Sequence, residues 1–354
     1  MDKLKIAIIG VGGIAGLHYS AYKKLSNVEV YALCDINEKQ LNKRGAEWGI
    51  NRLYTDVNEM LAALPEIDAV SVCTWNSAHA CCTIAALNAG KHVLCEKPMC
   101  MSVEEALEMK AAQERSGKLL MIGFVRRSGN DCRIIKEFID NDALGEIYYA
   151  KATYLRRNGN PGGWFGDKSR SGGGPLIDLG VHVIDLVRYL MGNPKPVSVY
   201  GVTFEKLGNR PNIKSGKAYL SVSAGNNDIC DVEDLASALI RFDNGAVISI
   251  EASFSLNIKN DEGRIQLFGT KGGAKLDPEL ELYGESNGYM TNTTLQARTA
   301  FDFNGLFESE IRHFISCITD GVACIAPAQD GVDMMKILCA IYESARTGHE
   351  VVIE

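Results

Sequence analysis

KIAIIGVGGIA, residues 5 to 15, joins a short apolar run directly to a glycine-rich turn and then to a helical pattern. Within it Gly10-Val11-Gly12-Gly13-Ile14-Ala15 has the spacing and the context of a dinucleotide-binding turn. Gly10 permits the sharp bend, and Gly12 lets backbone approach a pyrophosphate. Ala15 is small enough for close helix–strand packing, and Gly13 and Ile14 complete the cofactor-facing turn. Helix-start N–H groups and the helix dipole then favour the anion. The same rhythm continues through VEVYALCD (28–35), DAVSVCT (68–74), HVLCEK (92–97) and LLMIGF (119–124), with helical patterns between these runs. Strands apolar on both faces, alternating with helices, specify a parallel sheet covered on both sides. Asp35 ends the second run, 20 residues past Ala15, where a carboxylate binds ribose hydroxyls. It would repel a 2′-phosphate, and Ile36, Asn37 and Glu38 supply no arginine, so NAD is expected in preference to NADP.

At 354 residues the chain exceeds the ~250–300 at which single cores stop growing, so two domains are expected. The boundary is placed between 124 and 125. Hydrophobic residues make up 46%, charged residues 23%, and the net charge is -7, as in ordinary globular proteins. An acidic balance without a Lys/Arg-rich run argues against nucleic acid and anionic membranes as partners. Neither a secretory signal nor a spanning segment is visible, so a cytoplasmic location is expected. The eleven cysteines are odd in number and scattered, with no CxxC. They read as reduced, mostly core residues, and no metal is expected.

Beyond residue 124 the rhythm changes. A helix (131–141), IYYAKATYL (147–155), a glycine-rich loop and a helix near 176–191 precede several alternating strands. LIRFDNGAVISIEASF carries Asn244-Gly245 between alternating runs, a strong hairpin signal, and RIQLFGTKGGAKL reads as a second. Helices near 305–319 and 330–347 close the chain. This half is α+β, with a large, mainly antiparallel open sheet.

Two segments place charge where burial is expected. In GGGPLIDLGVHVIDL (172–186) Asp178 and His182 are four apart on one helix face, with Asp185 further along the same stripe. An Asp one turn from a His can orient the imidazole and raise its basicity, as a general base requires. In LCEKPM (94–99) an acid, a base and a proline leave an apolar strand, and buried charge is costly unless it is paired or used.

GVGGIAGLHYSAY, VYALCD, TWNSAHACCTIAALNAGKHVLCEKPM, MIGFVRR and SGGGPLIDLGVHVID together make the chain resemble the Gfo/Idh/MocA-type oxidoreductases over essentially its whole length. The resemblance implies a Rossmann domain (1–124) and a substrate-binding, oligomerising domain (125–354). It maps the catalytic group onto Lys97, Asp178 and His182. It sets Lys97 beside the nicotinamide, with Glu96 positioning cofactor and lysine, and it brings Thr74, Asn76 and His79 along the cofactor. His79 reads equally as a helix-start hydrogen-bonding residue. Trp75 stands where the common family pattern has proline. His18 reads as a first-helix packing residue. The isomer of the Lys97–Pro98 bond is not readable from sequence.

What the resemblance implies chemically is hydride transfer from a secondary alcohol of a sugar, glycoside or cyclic polyol to NAD. His182 would take the proton, Asp178 would orient it and hold a substrate hydroxyl, and Lys97 would bind the reacting oxygen; the roles of Lys97 and His182 are interchangeable at this stage. The loop 154–174 carries Arg156, Arg157, Asn158, Trp164, Lys168 and Arg170, suited to a polyhydroxylated ring, and Arg127 joins Arg156 and Trp164 as a substrate contact. Two other readings remain: a glycosidase-type enzyme using transient oxidation and elimination on bound NAD, and a non-catalytic NAD sensor. An uncovered sheet face implies a homodimer or homotetramer.

Overall fold

The computed structural model describes residues 3–210, 212–214, 219–225, 228–277, 279–296 and 302–354. The chain forms two compact units. The first comprises Met1–Gly123 together with Asn304–Met335, and the second Phe124–Phe303 with Lys336–Glu354.

In the first unit β1 (Leu4–Ile9), α1 (Gly13–Tyr22), β2 (Val28–Cys34), α2 (Glu38–Trp48), β3 (Leu53–Tyr54), α3 (Val57–Ala63), β4 (Ala69–Val72), α4 (His79–Asn88), β5 (His92–Glu96), α5 (Val103–Ser116) and β6 (Leu120–Gly123) alternate. The strands lie in the order β3-β2-β1-β4-β5-β6, all parallel. That order reverses direction at β1 and β4, and ligands of such sheets bind at the strand ends beside the reversal. β4 and most of β1 and β5 are buried throughout, matching their unbroken apolar sequence. The helices take local stop and start signals. Asn37 accepts from Gln40 N–H and Ser102 from Glu105 N–H at their N-termini, and Gly49 and Gly117 end them at positive φ.

The second unit opens with α6 (Asn130–Asp140), β7 (Ile147–Leu155), the short α7 (Lys168–Ser171) and α8 (Val181–Leu190). There follow β8 (Pro196–Phe204), β9 (Leu235–Phe242), β10 (Val247–Ser253), β11 (Glu262–Gly269), β12 (Gly273–Leu276), β13 (Glu281–Ser286) and β14 (Tyr289–Thr294). After α9 (Phe303–Thr319) and α10 (Ala328–Thr347), β15 (Val351–Val352) completes a nine-stranded sheet ordered β14-β13-β12-β11-β7-β10-β9-β8-β15. Among its described strands only β7 and β10 pair in parallel. The expected hairpins are β9–β10, with Gly245 at φ +84, and β11–β12. A third, β13–β14, turns on Asn287 and Gly288, both at positive φ.

Adjacent rows across this sheet show its two faces. Gly201, Ala238, Ile250, Ala152, Ile265 and Leu276 pair in register and are all buried. The neighbouring row, Tyr200, Leu239, Ser249, Lys151 and Gln266, is half-buried or exposed. α8 packs on β7, β10 and β11, whose paired residues Ala150 and Ile248 are fully buried. The division of the chain differs from a single cut after residue 124. α9 and the first part of α10 pack with the first unit: Ile122 N–H donates to the Ala326 carbonyl, and Met121 bridges Pro327.

Candidate active site

The glycine turn is built as its spacing demands. Gly10 has φ +82, and a Cβ there would lie 2.7 Å from the Cys73 and Thr74 backbone. A Cβ on Gly12 would meet nothing within 4 Å, so the approach to the turn is open. No side chain caps α1 and no acid sits in its first turn, whereas α2, α3 and α5 are capped by Asn37, Asp56 and Ser102. Gly12, Gly13 and Ile14 thus present helix-start backbone suited to a pyrophosphate. Asp35 accepts from Val11 N–H and from Asn37 N–H, both at 2.8 Å, which locks its carboxylate against the turn. Arg44 reaches the same turn, its Nε donating to the Val11 carbonyl at 3.4 Å, but Glu47 balances it at 2.8 Å. These residues fit a dinucleotide with unmodified ribose.

At the end of β4, Thr74 Oγ1 donates to the Trp75 carbonyl and Asn76 is buried at the start of a short 3-10 turn. His79 is buried, with Nδ1 2.7 Å from the Pro98 carbonyl and Nε2 3.2 Å from the Thr74 carbonyl. Burial pulls this imidazole below its usual pKa, against the two carbonyls, which favour the cation. His79 therefore ties the loop after β4 to the turn after β5.

β5 ends in the charged tripeptide. From Val93 to Cys100 every residue is buried except Lys97, which is partly exposed, and the Lys97–Pro98 peptide is cis. Glu96 Oε1 meets His18 Nε2 at 2.8 Å, and its Oε2 accepts from Lys97 N–H at 3.2 Å. His18 Nδ1 lies 3.2 Å from Ser71 Oγ, which contacts Tyr22 Oη at 2.8 Å. Gly123 faces this carboxylate, and a Cβ there would approach Glu96 at 3.2 Å. Burial pushes the Glu96 carboxyl upward, but the His18 hydrogen bond and the charges of His18, Lys97 and His79 outweigh it and hold the group below its usual range. His18 is thus a partner of the buried acid as well as a packing residue.

The second unit holds the Asp/His segment. It begins with a π-helical turn, Leu176–Gly180, before α8, a distortion common at functional sites. Between Gly173 and Arg188 only Asp178 and His182 are partly exposed. Asp185, expected on the same stripe, is instead 1% exposed and clamped by Arg127, with Nε–Oδ2 at 2.9 Å and Nη2–Oδ1 at 2.6 Å. The Arg127 guanidinium also lies 4.7 Å from the Tyr189 ring centroid. These surroundings suit support of α8, one turn beyond His182, better than a substrate contact.

Why three glycines precede Pro175 is answered by packing. Gly172 sits at φ +80; a Cβ on Gly173 would lie 2.1 Å from Tyr342 Oη, and one on Gly174 2.4 Å from the Glu233 carbonyl oxygen. The buried Glu233 accepts from Gly174 N–H at 2.9 Å, Leu176 N–H at 3.1 Å and Tyr342 O–H at 2.8 Å. Burial raises its carboxyl above the usual value despite these bonds. No local pattern around residue 233 announces this role.

Of the loop residues, Arg156 donates to the Gly159 carbonyl at 3.0 Å and lies over Tyr154. Burial lowers its guanidinium pKa, but the Tyr154 and Asp178 charges more than compensate and raise it. Arg156 therefore belongs to the electrostatic surroundings of Asp178. Trp164 stacks on Phe165 at 4.0 Å, and Tyr219 meets Phe165 edge-on at 6.3 Å, giving an aromatic shelf of which only Trp164 was expected. Arg157, Asn158, Lys168 and Arg170 make loop contacts: Arg157 N–H to Asp261, Asn158 with Ser255, Lys168 N–H to Asp231, and Arg170 to Asp167.

Two of the buried glutamates, Glu96 and Glu233, make opposite pH predictions. With its pKa lowered on folding, Glu96 contributes stability that is present above about pH 4.5 and lost as pH falls through the folded value. With its pKa raised, Glu233 stabilises most below about pH 4.5 and loses that contribution as pH rises through the folded value. The wild type's advantage over Glu96→Gln should shrink on acidification below that point. Its advantage over Glu233→Gln should shrink on raising pH above it. Urea unfolding of both variants from pH 3 to 7 checks the signs; slopes of the same sign would refute the pairing. At neutral pH, Glu233→Gln should still destabilise, by about 1–3 kcal/mol, because an amide nitrogen then faces a backbone donor.

The chain is similar to known proteins in both sequence and fold. The oxidoreductase family Gfo/Idh/MocA matches at residues 4–124 through its NAD-binding Rossmann fold and at 136–353 through its C-terminal alpha/beta domain. D-glucoside 3-dehydrogenase of Escherichia coli is 36% identical over 351 residues, 98% of this chain and 97% of the relative. Levoglucosan dehydrogenase of Pseudarthrobacter phenanthrenivorans is 30% identical over 287 residues, 77% and 73% of the two chains. A levoglucosan dehydrogenase structure in complex with NADH superposes with a TM-score of 0.86 at 25% identity, over all of both chains. Among the described residues no helix is long and apolar enough to cross a membrane. With its glycine turn, its charged strand end and both matched domains, the chain belongs to the Gfo/Idh/MocA family of NAD-binding oxidoreductases.

Proposed function

We propose that the protein oxidises a ring secondary alcohol of a hexopyranoside or related sugar, with NAD as hydride acceptor. The observation that carries this reading is the exposure pattern. Two otherwise buried runs are each interrupted only by groups able to manage a proton or a negative oxygen, Lys97 in one and Asp178 with His182 in the other. Hexopyranosides rank first among substrates because the relative sharing 36% identity over 98% of the chain is a D-glucoside 3-dehydrogenase.

In this reading NAD, when bound, supplies the hydride acceptor at its nicotinamide carbon. Gly10, Gly12, Gly13 and Ile14 hold its pyrophosphate, Asp35 its ribose hydroxyls, and the exposed Ile36 offers an apolar surface for the adenine. Thr74, Asn76 and Glu96 shape the cofactor's surroundings, and His79 fixes two of the turns between them. His182 accepts the hydroxyl proton and Asp178 orients it. Lys97 donates to the reacting oxygen as negative charge develops. Arg156 and the Trp164 shelf hold the sugar's remaining hydroxyls and apolar face. The protein acts as a homodimer or homotetramer, the half-exposed Tyr200 and Leu239 on the open sheet face supplying apolar contact area.

The test is NADH formation at 340 nm against glucosides, free sugars, inositols and sugar phosphates. Reduction confined to pyranosides supports the reading. Glycoside cleavage without net NADH would replace it with redox-assisted elimination, and binding of NAD with silence across the panel would point to a sensor. Light scattering after gel filtration gives the subunit number, and a monomer would refute the assembly.

A further inference from the structure

A second cluster of reactive side chains lies on α9 and the loop after it, and the dehydrogenase reading does not use it. His313 and Cys317 are one turn apart on the same face of α9, with Cys317 Sγ 3.4 Å from His313 Nε2. Gly321, at φ +67, reverses the chain after the helix, so that Cys324 returns to the same place. The three ligand atoms all lie within 4.8 Å of one another, and all three residues are half-buried. The loop is held in place: Ile325 N–H donates to His313 Nε2 at 3.1 Å, and the Ala326 carbonyl accepts from Ile122 N–H at 3.0 Å.

We propose that His313, Cys317 and Cys324 form a binding site for a thiophilic divalent cation, with Zn²⁺ as its natural probe, through one imidazole nitrogen and two thiolates. The geometry fits. Zinc bonds of about 2.3 Å to sulfur and about 2.0–2.1 Å to nitrogen at a tetrahedral angle separate S and N by about 3.5 Å, close to the 3.4 Å between Cys317 and His313. Charge also balances, because the dication displaces one proton from each thiol and meets two thiolates and a neutral imidazole. Half-exposure gives the ion a path in and leaves a fourth position for water. A cation on Nε2 takes the lone pair that now accepts from Ile325 N–H, so this N–H must turn to a thiolate sulfur instead, a cost that keeps the affinity below that of a four-ligand structural site.

The sequence argued against a metal because no CxxC is present, but the third ligand comes from chain reversal and not from a repeat spacing. A second close triad among the described residues, His18, Glu96 and Glu310, is fully buried, and its imidazole already meets Glu96 at 2.8 Å, an arrangement suited to a proton.

The test uses the full chain, reduced and stripped with chelator, titrated with Zn²⁺ against a chromophoric chelator while released protons are followed with an indicator. The expected result is about one Zn²⁺ per chain with about two protons released. Cys317→Ser and Cys324→Ser should each lower affinity at least tenfold, His313→Ala should do likewise, and Cd²⁺ should give a thiolate absorption band that weakens in each serine variant. Cys324 lies in a loop, so its serine variant should fold even if that of Cys317 does not; unchanged NAD binding checks this. Zn²⁺ bound equally well by Cys324→Ser, or no Zn²⁺ held against the chelator, overturns the proposal.

Discussion

Lys97→Ala should lower kcat by about 10²–10⁴-fold while leaving NAD affinity nearly unchanged, as expected for loss of a group that acts on the reacting oxygen. The separation of effects follows from placement. Gly10, Gly12 and Asp35 belong to the ends of β1 and β2, and their hydrogen bonds do not involve Lys97. Lys97→Arg should not restore the rate, since a planar fork cannot occupy the position of a compact ammonium. Steady-state kinetics with NAD titration by fluorescence decides the matter. A loss under tenfold, or an equal loss of NAD binding, would place Lys97 outside the chemistry. The same experiment with His182→Ala separates the two interchangeable roles: the variant whose kcat/KM profile loses its acid limb has lost the proton acceptor.

Many of the candidate groups in each unit were legible because their determinants are local. The turn at Gly10 to Ala15, the acid at the end of β2 and the pair Asp178 and His182 are set by residues within a few positions of one another, so motif and periodicity report them. The parallel order of the first sheet follows from the same alternation. The supporting contacts were not legible, because they are made across long stretches of chain. Glu233 meets Gly174 from 59 residues away, and His18 meets Glu96 from 78 away. Neither acid carries a sign in its own neighbourhood of whether it will ionise easily or with difficulty. Asp185 shows the limit of periodicity most directly: spacing puts it on the stripe of Asp178 and His182, but Arg127, 58 residues earlier, draws it into the core. The return of α9 to the first unit was hidden for the same reason, since an amphipathic helix shows that one face is buried without showing against what.

Arg127→Met should destabilise the second unit by about 3–5 kcal/mol, because it leaves the Asp185 carboxylate buried without its partner. Both side chains are essentially inaccessible, at 0% and 1%, and the pair is bidentate, so removing one member leaves the other's charge in the core. Asp185→Leu should cost a comparable amount by stranding the guanidinium. The double variant should recover most of the loss, since two apolar groups of similar volume remove both desolvation costs together. Thermal and urea unfolding of the four proteins measures the coupling. The cycle also separates the two roles open to Arg127. A substrate contact would raise KM and leave unfolding nearly unchanged, and the double variant would be no better than the single. A clamp on α8 predicts the reverse: large stability losses in both single variants, activity falling through misplacement of His182 one turn away, and activity and stability returning together when both charges are removed.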